Sequence, residues 1–123
     1  MLKSERRHIA RIQLDAPITT KVSTSRVTLL DLSLDGARIE HNFPLSRGKQ
    51  LTLHLEHLGQ HIDVQCEVRR CALVQRDGTV DYTSGLHFVS VTPDSMIVLR
   101  EIIADTVKRD FDARREMLLK IKK

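Results

Sequence analysis

Arg7 and Arg11 stand four residues apart in a basic run, Arg6-Arg7-His8-Ile9-Ala10-Arg11, just ahead of the first strand-like stretch. Further along, Asp31-Leu32-Ser33-Leu34-Asp35-Gly36 reads as a polar turn between two apolar runs. The two segments are complementary halves of a site for an anionic ligand. Guanidinium groups neutralise phosphate and hydrogen-bond it bidentately. The turn supplies a carboxylate at Asp31 and a hydroxyl at Ser33. Gly36 allows a positive φ and a close approach of ligand to backbone.

Catalytic chemistry finds little support. Ser33 and Asp31 have no evident base to complete a nucleophilic arrangement. Neither a glycine-rich phosphate loop nor a Walker pattern occurs. Among the histidines, His54, His57 and His61 come closest to metal-ligand spacing. Placed on a strand and its turn, they are not expected to face one point, and no metal site is assigned. The chain reads as a binding module and not as an enzyme, with no cofactor.

A length of 123 residues fits one domain with a modest core. Phe43, Phe88, Phe111 and Tyr82 are its whole aromatic complement, so that core must be aliphatic. The same scarcity disfavours nucleic acid as a partner, because single strands bind on aromatic stacking platforms. The net charge of +4 is concentrated, with Lys3, Arg6, Arg7 and Arg11 at one end and Lys120, Lys122 and Lys123 at the other. The C-terminal lysines suit the negative end of a helix dipole. No apolar stretch approaches the ~20 residues of a membrane span. The polar start does not resemble a secretory signal, so a cytoplasmic location is expected. Cys66 and Cys71 then read as reduced thiols.

The elements that must hold the turn are legible in the period of the apolar residues. Leu51, Leu53 and Leu55 alternate with polar neighbours, as do Ile62, Val64, Cys66 and Val68. This is the pattern of half-buried strands. It falters after Arg69-Arg70, which suggests a bulge or bend. Asp77-Gly78 marks a hairpin. About six strands in a meander without intervening helices predict an antiparallel barrel over residues 12–91. At Thr92-Pro93-Asp94 the signals become those of a helix start. Met96, Leu99, Ile103, Val107, Phe111, Leu118 and Ile121 then recur at helical spacing, which predicts one long helix within 92–123, with Leu99 and Ile103 packed on the barrel. Residues 1–11 are left as a flexible basic arm. The face of Phe111, Leu118 and Ile121 reads either as folded back on the barrel or as a contact between subunits.

Read as RxxxR (Arg7, Arg11) followed by DxSxxG (Asp31, Ser33, Gly36), the two motifs resemble the signature of the PilZ domain, a bacterial receptor for cyclic di-GMP. Their order fits, with RxxxR ahead of the first strand and DxSxxG between two strands. Gly85-Leu86-His87-Phe88-Val89 is similar to the last strand of the family. The resemblance spans roughly residues 5–90. It implies a mainly β fold, a six-stranded antiparallel PilZ-type barrel with a long C-terminal α-helix. It also implies that Arg7 and Arg11 meet the phosphates and guanine edges of the ligand. Asp31 would accept from guanine, Ser33 would offer its hydroxyl, and Gly36 would admit the ligand. A basic residue directly before RxxxR, here Arg6, goes in such receptors with two intercalated ligand molecules in place of one. The extra aromatics that stack on guanine in some relatives are missing, which leaves stacking to arginine planes. The implied function is a receptor and adaptor that changes conformation on binding and signals to a partner protein in motility, exopolysaccharide or biofilm control. The alternative is a PilZ-like interaction module that binds no nucleotide and acts through its C-terminal helix, with self-association through that helix as one outcome.

Overall fold

The computed structural model describes residues 12–13 and 18–121. Its strands are β1 (Ile12–Gln13), β2 (Thr19–Val22), β3 (Ser25–Leu32), β4 (Gly36–His41), β5 (Gln50–His57), β6 (Gln60–Arg76) and β7 (Thr79–Ser90). One helix, α1 (Pro93–Ile121), follows. The strands run in the order β3-β2-β5-β6-β7-β4, and pairing of β3 with β4 closes a six-stranded antiparallel barrel. Short β1 extends the β2 side of β3, pairing Ile12 with Leu32 and Gln13 with Asp31.

Period-two patterning builds the wall. Leu53, Leu55, Val64 and Val68 point inward and are fully buried, while Thr52, His54, Asp63 and Gln65 face outward. Burying one such aliphatic side chain contributes about 1.5–3 kcal/mol. The hairpin signal at Asp77-Gly78 is realised with φ of 47° and 79°. Leu58-Gly59 makes the same kind of turn between β5 and β6, with φ of 52° and 79°. Two positive φ values in a two-residue loop match the twist of the flanking strands. The expected irregularity in β6 is a register shift between Val68 and Arg70, and the strand continues through it. Cys66 and Cys71 are free thiols, and burial pushes the Cys66 thiol up to about 12.

Helix α1 starts as its sequence suggests. The Ser95 backbone N–H donates to Thr92 Oγ1 at 3.1 Å, capping the first turn. Leu99 is fully buried and Ile103, partly buried, packs against the core, as the spacing predicts, while Ile102 and Thr106 complete the covered face. Thr106 was masked by polarity, and its hydroxyl donates to the Ile102 carbonyl at 2.8 Å. His57 Nε2 donates to Asp105 Oδ2 at 3.3 Å and ties the helix to the β5–β6 hairpin. The distal half of the 29-residue helix leaves Phe111 65% exposed. The side chains of Leu118 and Ile121 lie outside those described. No helix among the described residues is long and apolar enough to cross a membrane.

Candidate functional site

The β3–β4 turn is held by its own polar groups. The Ser33 N–H donates to the Gly36 carbonyl at 2.8 Å. The Ser33 hydroxyl reaches Asp35 Oδ1 at 2.7 Å and the Gly36 carbonyl at 3.1 Å, and accepts from the Asp35 N–H at 3.3 Å. The Phe88 N–H donates to the Asp35 carbonyl at 2.8 Å and fastens the turn to β7. A turn fixed this way needs little reorganisation to present its edge to a ligand.

Gly36 is required for a reason other than the one expected. Its φ is not in the left-handed region, where Gly48, Gly59 and Gly78 are found. A Cβ on Gly36 would instead lie 2.5 Å from the Leu86 carbonyl oxygen. Close approach of β7 backbone, with Gly36 opposite His87, excludes any side chain.

Asp31 is aimed by a bulge. Leu29 pairs with Ile39 and Asp31 with Arg38, which leaves Leu30 as an extra residue. The phase slip turns Asp31 onto the outer face beside Arg38 and returns Leu32 to the core. Arg38 Nε lies 3.1 Å from Asp31 Oδ2. The row continues around the barrel, with Arg38 opposite Gly85 and Gly85 opposite Arg70. The Arg70 stem lies across Gly85, its Cγ 3.4 Å from where a Cβ would stand. Asp31, Arg38 and Arg70 thus line one outward strip with a glycine gap between the two guanidiniums. Sequence reasoning missed Arg38 and Arg70; the doubled apolar pair Leu29-Leu30 was the available sign of the slip.

The structure brings Asp31, Ser33 and Gly36 together at one end of β3 and β4. Arg6, Arg7 and Arg11, with the rest of the 1–11 arm, lie outside the described residues. Leu34, at the tip of the turn, faces an apolar groove of about 550 Å³ walled by Arg100, Ile103, Ala104, Val107, Lys108 and Phe111 of α1. The histidine reading needs a correction. His57 turns to Asp105, as stated, but His54 and His61 both reach Asp63. Cross-strand register, invisible to linear spacing, joins them.

The PilZ domain family model matches residues 4–105. Comparison with curated protein sequences returns no match. Among solved structures, an uncharacterized Legionella protein is 18% identical with a TM-score of 0.53, over 85% of this chain and 97% of that one. Apo MrkH of K. pneumonia is 18% identical with a TM-score of 0.67, over 86% of this chain and 52% of its own. PlzA of Borreliella burgdorferi, solved in complex with c-di-GMP, is 7% identical with a TM-score of 0.51, over 86% of this chain and 49% of its own. The chain therefore spans about half the length of MrkH and of PlzA. At these identities the likenesses speak for the barrel and its helix alone. The family match covers most of the sequence, including the turn and both motifs, and by it the chain belongs to the PilZ domain family.

Proposed function

We propose that this PilZ domain is a receptor for cyclic di-GMP that passes the binding event to a partner protein. The observation that carries the reading is the bulge-and-turn edge, where Asp31, Ser33 and Gly36 are held together on the outer face. In the register of β1, Ile12 lies opposite Leu32, at the mouth of the turn. In this reading Arg7 and Arg11 clamp the phosphodiesters and stack on or pair with guanine. Asp31 accepts from the guanine N1–H and amine, Ser33 adds a hydroxyl, and Arg6 serves a second, intercalated ligand molecule. Ordering an arm costs about 1–2 kcal/mol per residue, which charge-assisted contacts offset. That PlzA, similar in fold, is solved with c-di-GMP accords with this reading.

Signalling would run through Leu34. It sits between Ser33 and Asp35 and also forms one wall of the groove against α1. A ligand on the turn therefore adjoins an apolar surface that a partner protein, or a second copy, can cover. The exposed Val107 and Phe111 also favour the alternative, an interaction module that docks through α1 without nucleotide.

Calorimetric titration of the purified chain with cyclic di-GMP, with GTP and cyclic GMP as controls, separates the two. The receptor reading expects saturable binding of cyclic di-GMP alone. Arg7→Ala and Arg11→Ala should each remove about 1.5–3 kcal/mol of that affinity. No binding leaves the interaction module as the better account, and equal binding of all three nucleotides overturns the reading of a cyclic di-GMP receptor.

A further inference from the structure

On the far wall of the barrel, two imidazoles and a carboxylate meet. β5 and β6 form a tight hairpin in which His54 lies opposite Asp63 and Glu56 opposite His61. These positions alternate with the buried Leu53, Leu55, Ile62 and Val64, so all four share the outer face. His54 Nδ1 donates to Asp63 Oδ1 at 2.5 Å, and His61 Nε2 donates to the same oxygen at 2.8 Å. The two rings stack with centroids 6.1 Å apart. One nitrogen of each histidine and one Asp63 oxygen all lie within 4.8 Å of one another.

From this arrangement we infer that His54, His61 and Asp63 form a site for a divalent transition-metal ion of the zinc class. Two imidazoles and a carboxylate are a donor set that such ions take, whereas magnesium and calcium prefer oxygen alone. Bonds of about 2.0–2.2 Å place ligand atoms roughly 3.3 Å apart around a tetrahedral ion. The two short contacts must open a little and the wider one close. Rotation of solvent-facing side chains does this without moving the strands. On coordination each neutral imidazole shifts its proton to its other ring nitrogen, and Asp63 exchanges two hydrogen bonds for the ion. Lys21 lies opposite His54 on β2 and is the cation to be tolerated, its long stem letting the ammonium swing clear. Three protein ligands leave a position open to water or to a donor from another molecule.

The site is independent of the turn, since β2 separates β5 from β3 and β7 separates β6 from β4. Zinc chloride is titrated into the full chain near neutral pH, followed by calorimetry and by the imidazole signals in NMR. One ion per chain is expected, with the signals of His54 and His61 shifting and that of His87 still. Zinc should raise the melting temperature by binding the native state alone. His61→Ala and Asp63→Asn, both at solvent-exposed positions, should each weaken binding by roughly tenfold or more and abolish that rise. Magnesium chloride should produce neither effect. No zinc binding, or binding unchanged in both variants, overturns the assignment.

Discussion

Arg38 Nε lies 3.1 Å from Asp31 Oδ2 on the outer face of the barrel, across a directly paired position of β3 and β4. The carboxylate proposed to read guanine is therefore already engaged by a guanidinium. Arg38 orients it through this contact.

The first prediction concerns this pair. Asp31→Ala should weaken cyclic di-GMP binding by about 1.5–3 kcal/mol, the usual loss for a charge-assisted bond. Arg38→Ala should also weaken it. Arg38 is 45% exposed but the Asp31 side chain only 11%, so Arg38→Ala takes a partner from a largely buried carboxylate and the variant barrel should melt below the parent. Residues in contact are not additive, so the double variant should lose less than the two single losses combined. Calorimetry on the four proteins tests this. Full affinity in Asp31→Ala would remove Asp31 from the site.

The second concerns Gly36. A Cβ 2.5 Å from the Leu86 carbonyl must push β7 backbone aside. Overpacking of this sort costs about 1–3 kcal/mol, so Gly36→Ala should lower the urea midpoint and Gly36→Val should lower it further. Both should lose affinity, because the Ser33–Asp35 turn is fastened to the same strand through Phe88. A Gly36→Ala protein as stable as the parent would contradict the close approach.

The barrel was legible because its strands are half-buried and clean in phase. Leu51-Leu53-Leu55 and Ile62-Val64-Cys66-Val68 declare an inside and an outside without any tertiary knowledge. Thr92 and Pro93 announced the helix start in the same local way. What stayed hidden depends on register. The bulge at Leu30, the pairing of Asp31 with Arg38 and the meeting of His54, His61 and Asp63 are all cross-strand facts. Helical spacing marks Leu99 and Ile103 on the packed face but does not reveal that Ile102 lies deeper in it. Gly36 was recognised as special, but the carbonyl that makes it so belongs to a strand about fifty residues away.

The third prediction is a pH dependence centred on His41. Its Nδ1 donates to the Phe43 carbonyl at 2.6 Å, which fixes the tautomer and leaves Nε2 to accept from the Ser84 hydroxyl at 2.7 Å. Burial pushes the imidazole below its ordinary 6.5, against the opposing pull of the Phe43 carbonyl and of Asp81 and Glu40. The unfolded chain therefore takes up this proton more readily than the folded one. Stability from His41 is complete above 6.5 and is lost as pH falls through the depressed folded value. Asp63 titrates in a separate window, below 3.8. Urea unfolding between neutral pH and pH about 5 should show falling stability, and His41→Gln should flatten that slope. An unchanged slope in the variant would assign the effect to another group.

The last prediction concerns the distal half of α1. Leu99, Ile102 and Thr106 carry the packing on the barrel, and Asp105 carries the link to His57. All four precede Arg109. Truncation after Arg109 should therefore leave a folded barrel that melts cooperatively and keeps its affinity for cyclic di-GMP. It removes Phe111, which is 65% exposed and walls the groove under Leu34. An aromatic ring left in water beside Val107 is an apolar surface that association can cover. Sedimentation should then find a larger species for the intact chain than for the truncated one. In the intact chain, Phe111→Asp should reproduce the smaller species without lowering the melting temperature. If the intact chain sediments as a monomer with and without cyclic di-GMP, self-association is excluded. A truncated protein that no longer folds would show that the distal turns serve the barrel itself.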